Sequence, residues 1–249
     1  KIHNINVFKD HDKLMSTDEL ARLIERENVD GHMVSQLIAP YFQKALEKVM
    51  GSKWLGESVL YIAPHYAQVM CEPIMRLDML EAMERAIHIL SSNGYERIAV
   101  IAGVKEEHIE KAERISYDRA MALAGLSFSS YCIGEINADF GYSAMIELLD
   151  GDSVPDAVFI ANDKLAQGIA QALNQRGLVP GEDIGLIIGS NRDNIVPEKL
   201  GWSRLEFDPF LLGRISLNSL VREIITAHAE AHSLSLLARW YPEATHLRS

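Results

Sequence analysis

The chain has 249 residues, 48% of them hydrophobic and 24% charged, with a formal net charge of −11. That length holds one large domain or two medium ones, and the hydrophobic share supports a core and excludes wholesale disorder. The acidic balance makes the chain by itself a poor partner for phosphate backbones, and no apolar run reaches the roughly 18 residues of a membrane span.

Residues 5–8 open as a short strand. Ser16 or Thr17 can cap a helix, with Glu19 in its first turn and Leu20, Leu23 and Ile24 on its apolar face. A strand follows over residues 29–34, then a helix over 40–50 with Phe42, Leu46 and Val49 in register. Residues 59–63 are another strand, ended by Pro64. Residues 78–92 form the clearest amphipathic helix of this half, with Leu80, Met83, Ile87 and Leu90 on one stripe, closed by Asn93-Gly94. Residues 97–102, RIAVIA, are apolar almost throughout, as in a strand buried on both faces.

The alternation continues. Residues 106–124 are a long charged helix with Ile109, Ala112, Ile115 and Ala120 expected inside. Residues 131–136 are a strand and 141–149 a helix, ended by the turn Asp150-Gly151-Asp152. Residues 155–189 then make a βαβ unit. Its parts are the strand 157–160, a helix 162–175 with Leu165, Ile169, Ala172 and Leu173 in register, and a second strand 184–188. Gly177 suits a left-handed cap, and Pro180 stops the helix. Residues 195–203 read as a connection, 209–228 as a helix with Leu212, Ile215, Leu220 and Ile224 inside, and 236–240 and 246–249 as short terminal pieces. Alternating strands and helices define an α/β class. There are too many strands for one small sheet. Two sheets with a cleft fit the length better than a barrel, which wants eight regular units.

In open parallel sheets ligands sit beyond the carboxyl ends of the strands. Here those ends carry Asn162-Asp163 and Ser190-Asn191, short polar residues that do not belong in a core. Asn162 can cap the following helix or offer its amide, both donor and acceptor, to a ligand. Asn191 can serve a turn or face the ligand. Asp78 opens its helix as a cap, and Arg114 suits a solvated helix face. His228 and His232 share a helical spacing but lack a third metal ligand, and Cys71 and Cys132 read as free thiols of a cytosolic protein. With no P-loop, no G-x-G-x-x-G and no nucleophile elbow, no cofactor and no catalysis are expected.

Several motifs in order resemble the effector-binding domain of the LacI/GalR family of bacterial transcription regulators. They are Val29-Asp30-Gly31, Leu77-Asp78, Gly94-Tyr95-Glu96-Arg97-Ile98-Ala99, Pro155-Asp156-Ala157, Asn162-Asp163 with Ala166 and Gly168, Gly177-Leu178-Val179-Pro180 with Asp183-Ile184, Asp208 with Gly213-Arg214, and His246-Leu247-Arg248-Ser249. The resemblance implies two Rossmann-like lobes, with parallel sheets flanked by helices, in the type I periplasmic-binding-protein-like fold. It implies lobes of residues 1–103 with 201–236 and 104–198 with 237–249. A small polar, sugar-like effector is expected in the cleft between them, held by Asn162, Asn191, Arg114 and Asp78. A cytoplasmic homodimer is implied, with no membrane partner, and DNA contacts only through an N-terminal domain that this stretch does not include.

Three departures stand out. Asn191 carries an amide where the family has an aspartate. Around Glu113-Arg114 and Ser116-Tyr117 the family's arginine and glycine positions fall on Glu113 and Ser116. The family's first strand and helix have no counterpart, so the chain is expected to be a fragment or a shortened relative. The alternatives kept beside this reading are an exported solute-binding protein of the same fold and an α/β enzyme that shares only the topology.

Overall fold

A computed structural model describes residues 8–10, 13–35, 38–56, 58–63, 73–103, 107–226 and 232–248. The chain opens with a short antiparallel pair, β1 (Phe8–Asp10) and β2 (Lys13–Leu14). Helix α1 (Thr17–Glu27) starts at Ser16, whose hydroxyl accepts the Glu19 N–H while the Glu19 carboxylate accepts the Ser16 N–H. Two donors that the first turn would orphan are thus satisfied reciprocally. Next come β3 (His32–Ser35), α2 (Ala39–Met50), β4 (Val59–Ala63) and β5 (Ile74–Leu77). Helix α3 (Met79–Ser92) starts at Asp78, whose carboxylate accepts the Glu81 N–H at 3.2 Å. Then follow β6 (Ile98–Gly103), α4 (Glu107–Leu123), β7 (Tyr131–Gly134), α5 (Ala138–Asp150) and β8 (Ala157–Ile160). A 3-10 turn, Asp163–Leu165, runs into α6 (Ala166–Gln175). Gly177 takes φ 67°, and the Leu178 N–H reaches the Leu173 carbonyl, the left-handed ending expected of that glycine. The chain finishes with β9 (Gly185–Asn191), α7 (Val196–Lys199), β10 (Ser203–Phe207), α8 (Pro209–Thr226), β11 (Leu234–Leu236), β12 (Arg239–Tyr241) and a last 3-10 turn, Ala244–His246.

The chain divides into two compact units, Lys1–Arg76 with Phe210–Ser235 and Leu77–Pro209 with Leu236–Ser249. In the smaller, a four-stranded sheet runs β11-β5-β4-β3, with β3, β4 and β5 parallel. Leu20 and Ile24 of α1 and Phe42, Ala45 and Leu46 of α2 pack on Val34, Tyr61 and Ile74 to make its core. In the larger, a six-stranded sheet runs β12-β10-β9-β8-β6-β7, parallel except for β12. On one face, Ala99, Ile101, Val158, Ile160, Leu186 and Ile188 meet α5 and α6. On the other lie α3 and α4, where the buried Tyr117 donates its hydroxyl to the Ile98 carbonyl at 2.9 Å. A sheet covered on both faces needs strands without alternation, as 98–102 and 157–160 are.

The unit boundaries differ from the expected ones at 103 and 201. β6 pairs on both sides within the six-stranded sheet, and β10 joins it through β9, so both strands belong to the larger unit. Helix α3 goes with them, because its apolar stripe packs against β6, β8 and β9. Two of the parallel strands were hidden in the sequence. β5 has only four residues, and Arg76 interrupts its apolar run, although Pro73 marks its start. β10 alternates Arg204 and Glu206 with Leu205 and Phe207, where a connection was expected up to 203. Arg204 is only 8% exposed because its guanidinium stacks on the Tyr241 ring of the neighbouring strand and meets the Glu206 carboxylate.

Helix α4 also turns differently. Ile115, expected inside, is 61% exposed, whereas Glu113 and Tyr117 are buried. The Tyr131 hydroxyl donates to Glu113, and Tyr117 also receives the Ser130 N–H, so polar bonds to the neighbouring strand set the inward face. The side chains of Ile109 and Ala112 lie outside the described residues.

The amino end of the six-stranded sheet is closed by side chains. The Asp156 carboxylate accepts the N–H groups of Arg97 at 2.7 Å and Glu96 at 3.2 Å. Arg248 donates to the Gly94 carbonyl and stacks on Tyr95, whose hydroxyl donates to the Leu247 carbonyl at 2.6 Å. Burial raises the Tyr95 pKa, partly offset by Arg248. Ser203, fully buried at the start of β10, bonds Thr245, the Glu243 backbone and the His246 ring. The terminal motif is thereby bound to the turn at 94–97 and to the first residues of β10.

Candidate functional site

The carboxyl ends of β8, β9 and β10 lie side by side in the larger unit. Asn162 follows β8 in extended backbone, and its Oδ1 accepts the Lys164 N–H at 3.0 Å, capping the turn. Asp163 is 6% exposed and does something the sequence did not announce. Its Oδ2 accepts the Asn191 N–H at 2.8 Å, tying the ends of two adjacent strands together. Asn191, half-buried, is the last residue of β9 and stands in register with Phe207 of β10.

The next residues along continue the pattern. The Arg192 N–H donates to the Phe207 carbonyl at 2.8 Å, and the Arg192 guanidinium pairs with Asp208 at 2.5 Å. That pairing raises the Arg192 pKa. Arg192 and Asp208 are functional candidates that sequence reasoning passed over, because nothing local shows that residues sixteen apart end neighbouring strands. The available signal was the register of the βαβ unit, which needs β10 to be recognised first.

The first turn of α3 belongs to the same end. A Cβ on Gly189 would stand 3.4 Å from Met79 Cε and 3.2 Å from the Ala161 carbonyl oxygen, so this turn lies against β9 just beyond where β8 ends. Asp78 therefore sits near the strand ends, acting as the cap of α3 and donating its own N–H to Leu236 at 3.0 Å. Glu81, in the same turn, has a buried Oε2 without a hydrogen-bond partner. Burial raises its pKa, opposed by Arg85 and reinforced by Asp78 and Glu84.

Arg114 is not brought to this end. It is exposed, 3.9 Å from Asp118 one turn on, with its guanidinium 5.6 Å from the Tyr131 ring centroid. Tyr131 starts β7, at the far edge of the sheet from β10. Arg114, expected beside Asp78 among the ligand-holding residues, stays away from it, because α4 turns Glu113 inward and leaves Arg114 in solvent. All four residues singled out from the sequence lie in the larger unit.

Among the described residues no group of three or more His, Cys, Asp or Glu could hold a metal ion. His228 and Cys71 lie outside them. Cys132 is half-buried in β7, and burial pushes its thiol up to about 11, far from a reactive thiolate. No described helix is long and apolar enough to cross a membrane.

A parallel sheet covered on both faces, with hydrogen-bonding side chains at its carboxyl edge and neither metal cluster nor activated nucleophile among the described residues, has the layout of a small-molecule-binding domain. Residues 87–245 match the periplasmic binding protein-like domain, and the chain belongs to that family. It is 32% identical over 118 residues to catabolite control protein A of Priestia megaterium, covering 46% of this chain and 36% of that protein. It is 27% identical over 187 residues to the HTH-type transcriptional repressor PurR of Pasteurella multocida, covering 74% of this chain and 52% of that one. The solved structure of transcription regulator CcpA of Lactococcus lactis superposes with a TM-score of 0.74 at 17% identity, covering 97% of this chain and 86% of that one. These relatives bear out the resemblance to the effector-binding domain of LacI-type regulators. The chain spans about a third to a half of the length of the two curated relatives.

Proposed function

We propose that this chain is the ligand-sensing part of a cytoplasmic LacI-type transcription regulator, a sensor and not a catalyst. A small polar effector, sugar-like in its hydrogen-bonding groups, binds at the carboxyl end of the six-stranded sheet. Asn162 and Asn191 contact it, and Asp78 lines the same end. Binding shifts a conformational equilibrium that controls a DNA-reading region in the longer protein, which acts as a homodimer. The observation that carries the reading is the hydrogen bond from the Asn191 N–H to Asp163, which gathers polar groups from two strand ends into one place. Arg114, exposed on α4, is dropped from the ligand set.

The test begins with a calorimetric screen of monosaccharides, amino sugars and nucleosides against the purified chain. For the compound that binds, Asn191→Ala is expected to cost about 1–3 kcal/mol of binding, because a ligand hydroxyl loses its partner. If Asn162→Ala and Asn191→Ala both keep full affinity, the ligand binds elsewhere. For the full-length regulator, the same compound is expected to change operator affinity in a gel-shift titration. The dimer is checked by sedimentation, where a monomer at high concentration refutes it.

A further inference from the structure

Helix α8 buries Leu212, Ser216 and Leu220 on its inner side, so its outer side should be polar. It is not. Phe210 is 70% exposed, Val221 44% and Ile225 75%. At about 3.6 residues per turn these three fall on one stripe, with the exposed Arg214 and Asn218 among them and Arg222 at its margin. From Phe210 to Ile225 the stripe runs roughly 22 Å. Gly213 borders it. A Cβ there would meet nothing within 4 Å, so no close contact in this chain calls for glycine, which costs a helix interior about 1 kcal/mol relative to alanine. Its bare backbone suits the close approach of another chain.

Charge sets the stripe apart. The chain carries a net −11, and elsewhere arginines are engaged, Arg119 by Glu84, Arg176 by Asp150 and Arg192 by Asp208. Arg214 and Arg222 are exposed and make no ion pair among the described residues. Glu223, the one carboxylate of α8, has its Oε2 buried. Bare apolar side chains flanked by uncommitted arginines have the composition of a protein interface. A second copy of this chain fits poorly. A twofold antiparallel pairing centred on Asn218 sets Arg214 of each copy against Arg222 of the other, so like charges meet twice. An anionic membrane fits poorly too, because it repels so acidic a chain more than two arginines attract it.

We propose that the outer face of α8 is a docking surface for another protein, and that this partner presents an acidic amphipathic helix. A long straight stripe matches the apolar edge of a helix laid along it. The partner's apolar side chains seat between Phe210 and Ile225, and its carboxylates pair with Arg214 and Arg222. The surface belongs to the smaller unit, and the strand ends carrying Asn162 and Asn191 belong to the larger.

The experiment is fluorescence anisotropy of two labelled amphipathic peptides titrated with the intact chain. Both carry the same leucine stripe, and the remaining positions are glutamate in one and lysine in the other. The glutamate peptide is expected to bind about tenfold or more tighter than the lysine peptide, against the net charge of the chain, and to weaken as salt rises. Arg214→Glu combined with Arg222→Glu is expected to reverse that preference. Phe210→Ser and Ile225→Ser are each expected to weaken the glutamate peptide about tenfold. Ile115→Ser, at an exposed apolar residue of α4, is the control expected to change nothing. Thermal unfolding checks that each variant is folded, and the arginine pair decides the matter if a serine variant is not. The proposal is overturned if the glutamate peptide does not bind, if the α8 variants leave its binding intact, or if Ile115→Ser weakens it equally. Sedimentation showing a wild-type dimer that Phe210→Ser makes monomeric gives the face to a second copy. Flotation with phosphatidylglycerol vesicles that the arginine pair variant abolishes gives it to a membrane. Either result overturns the proposal as well.

Discussion

The two ends of the six-stranded sheet are built to different rules. At the amino end most polar groups are bonded, Arg204 Nη1 being a buried exception. Asp156 takes two backbone N–H groups, Tyr95 and Arg248 bind the terminal segment, and Ser203 bonds three different residues. At the carboxyl end, Ser190 has a buried hydroxyl without a partner, and Glu81 has a buried oxygen in the same condition. Both ends cap the same strands. The amino end uses its polar groups chiefly to hold the fold, with Arg204 Nη1 the exception, whereas the carboxyl end has two buried oxygens without a partner. Parallel sheets bind ligands at carboxyl ends, and this is the pattern expected when stability and recognition occupy opposite edges of one sheet.

The sharpest way to break the comparison is to crowd the amino end. A Cβ on Gly185 would lie 2.5 Å from the Tyr95 ring. Gly185→Ala should therefore force that ring and the terminal segment away, costing about 2–3 kcal/mol in chemical denaturation while ligand affinity of the folded protein holds. Asp156→Ala strands the N–H groups of Arg97 and Glu96. About 1–2 kcal/mol of stability should go, again without effect on binding.

At the carboxyl end the balance should reverse. Asn162→Ala removes the cap on the Lys164 N–H. About 0.5–2 kcal/mol of stability is expected to be lost, visible in thermal unfolding of the ligand-free chain. If Asn162 also holds ligand, the loss in binding appears separately in calorimetry.

A smaller effect follows from pH. Burial lowers the pKa of His246, which faces Ser203 and the edge of Trp240, and that of His32, which faces Phe42. A depressed histidine stays neutral in the folded chain while the unfolded chain takes up a proton. Stability is then complete above the unfolded pKa of about 6.5 and falls as pH drops below it. Denaturation midpoints measured from pH 7 to 5.5 should decline, and His246→Gln should flatten part of the slope. The smallest effect belongs to Arg114→Ala. An exposed pair 3.9 Å apart contributes little, so stability should stay within about 0.5 kcal/mol and ligand affinity should not change. A clear loss of affinity would return Arg114 to the site.

What the sequence determined by itself is what short-range forces decide. The Ser16 cap, the Asn93-Gly94 and Gly177 helix endings, the apolar strands 98–102 and 157–160, and the strand-end position of Asn162 and Asn191 all follow from residues within a few places of each other. The order of motifs along the chain was enough for the family. Only the tertiary structure decided the rest, because it turns on partners distant in sequence. Arg204 and Glu206 make a poor-looking strand until Tyr241 and β9 pack against it. β6 looks the same in either unit, and pairing with β7 and β8 assigns it to the larger. Arg114 and Glu113 differ by one position on a helix, and the Tyr131 hydroxyl, eighteen residues from Glu113, determines which of them turns inward. The unclaimed Ser190 hydroxyl is visible only once every neighbour is in place, since a missing hydrogen bond is a property of the packed structure and has no signature in the chain.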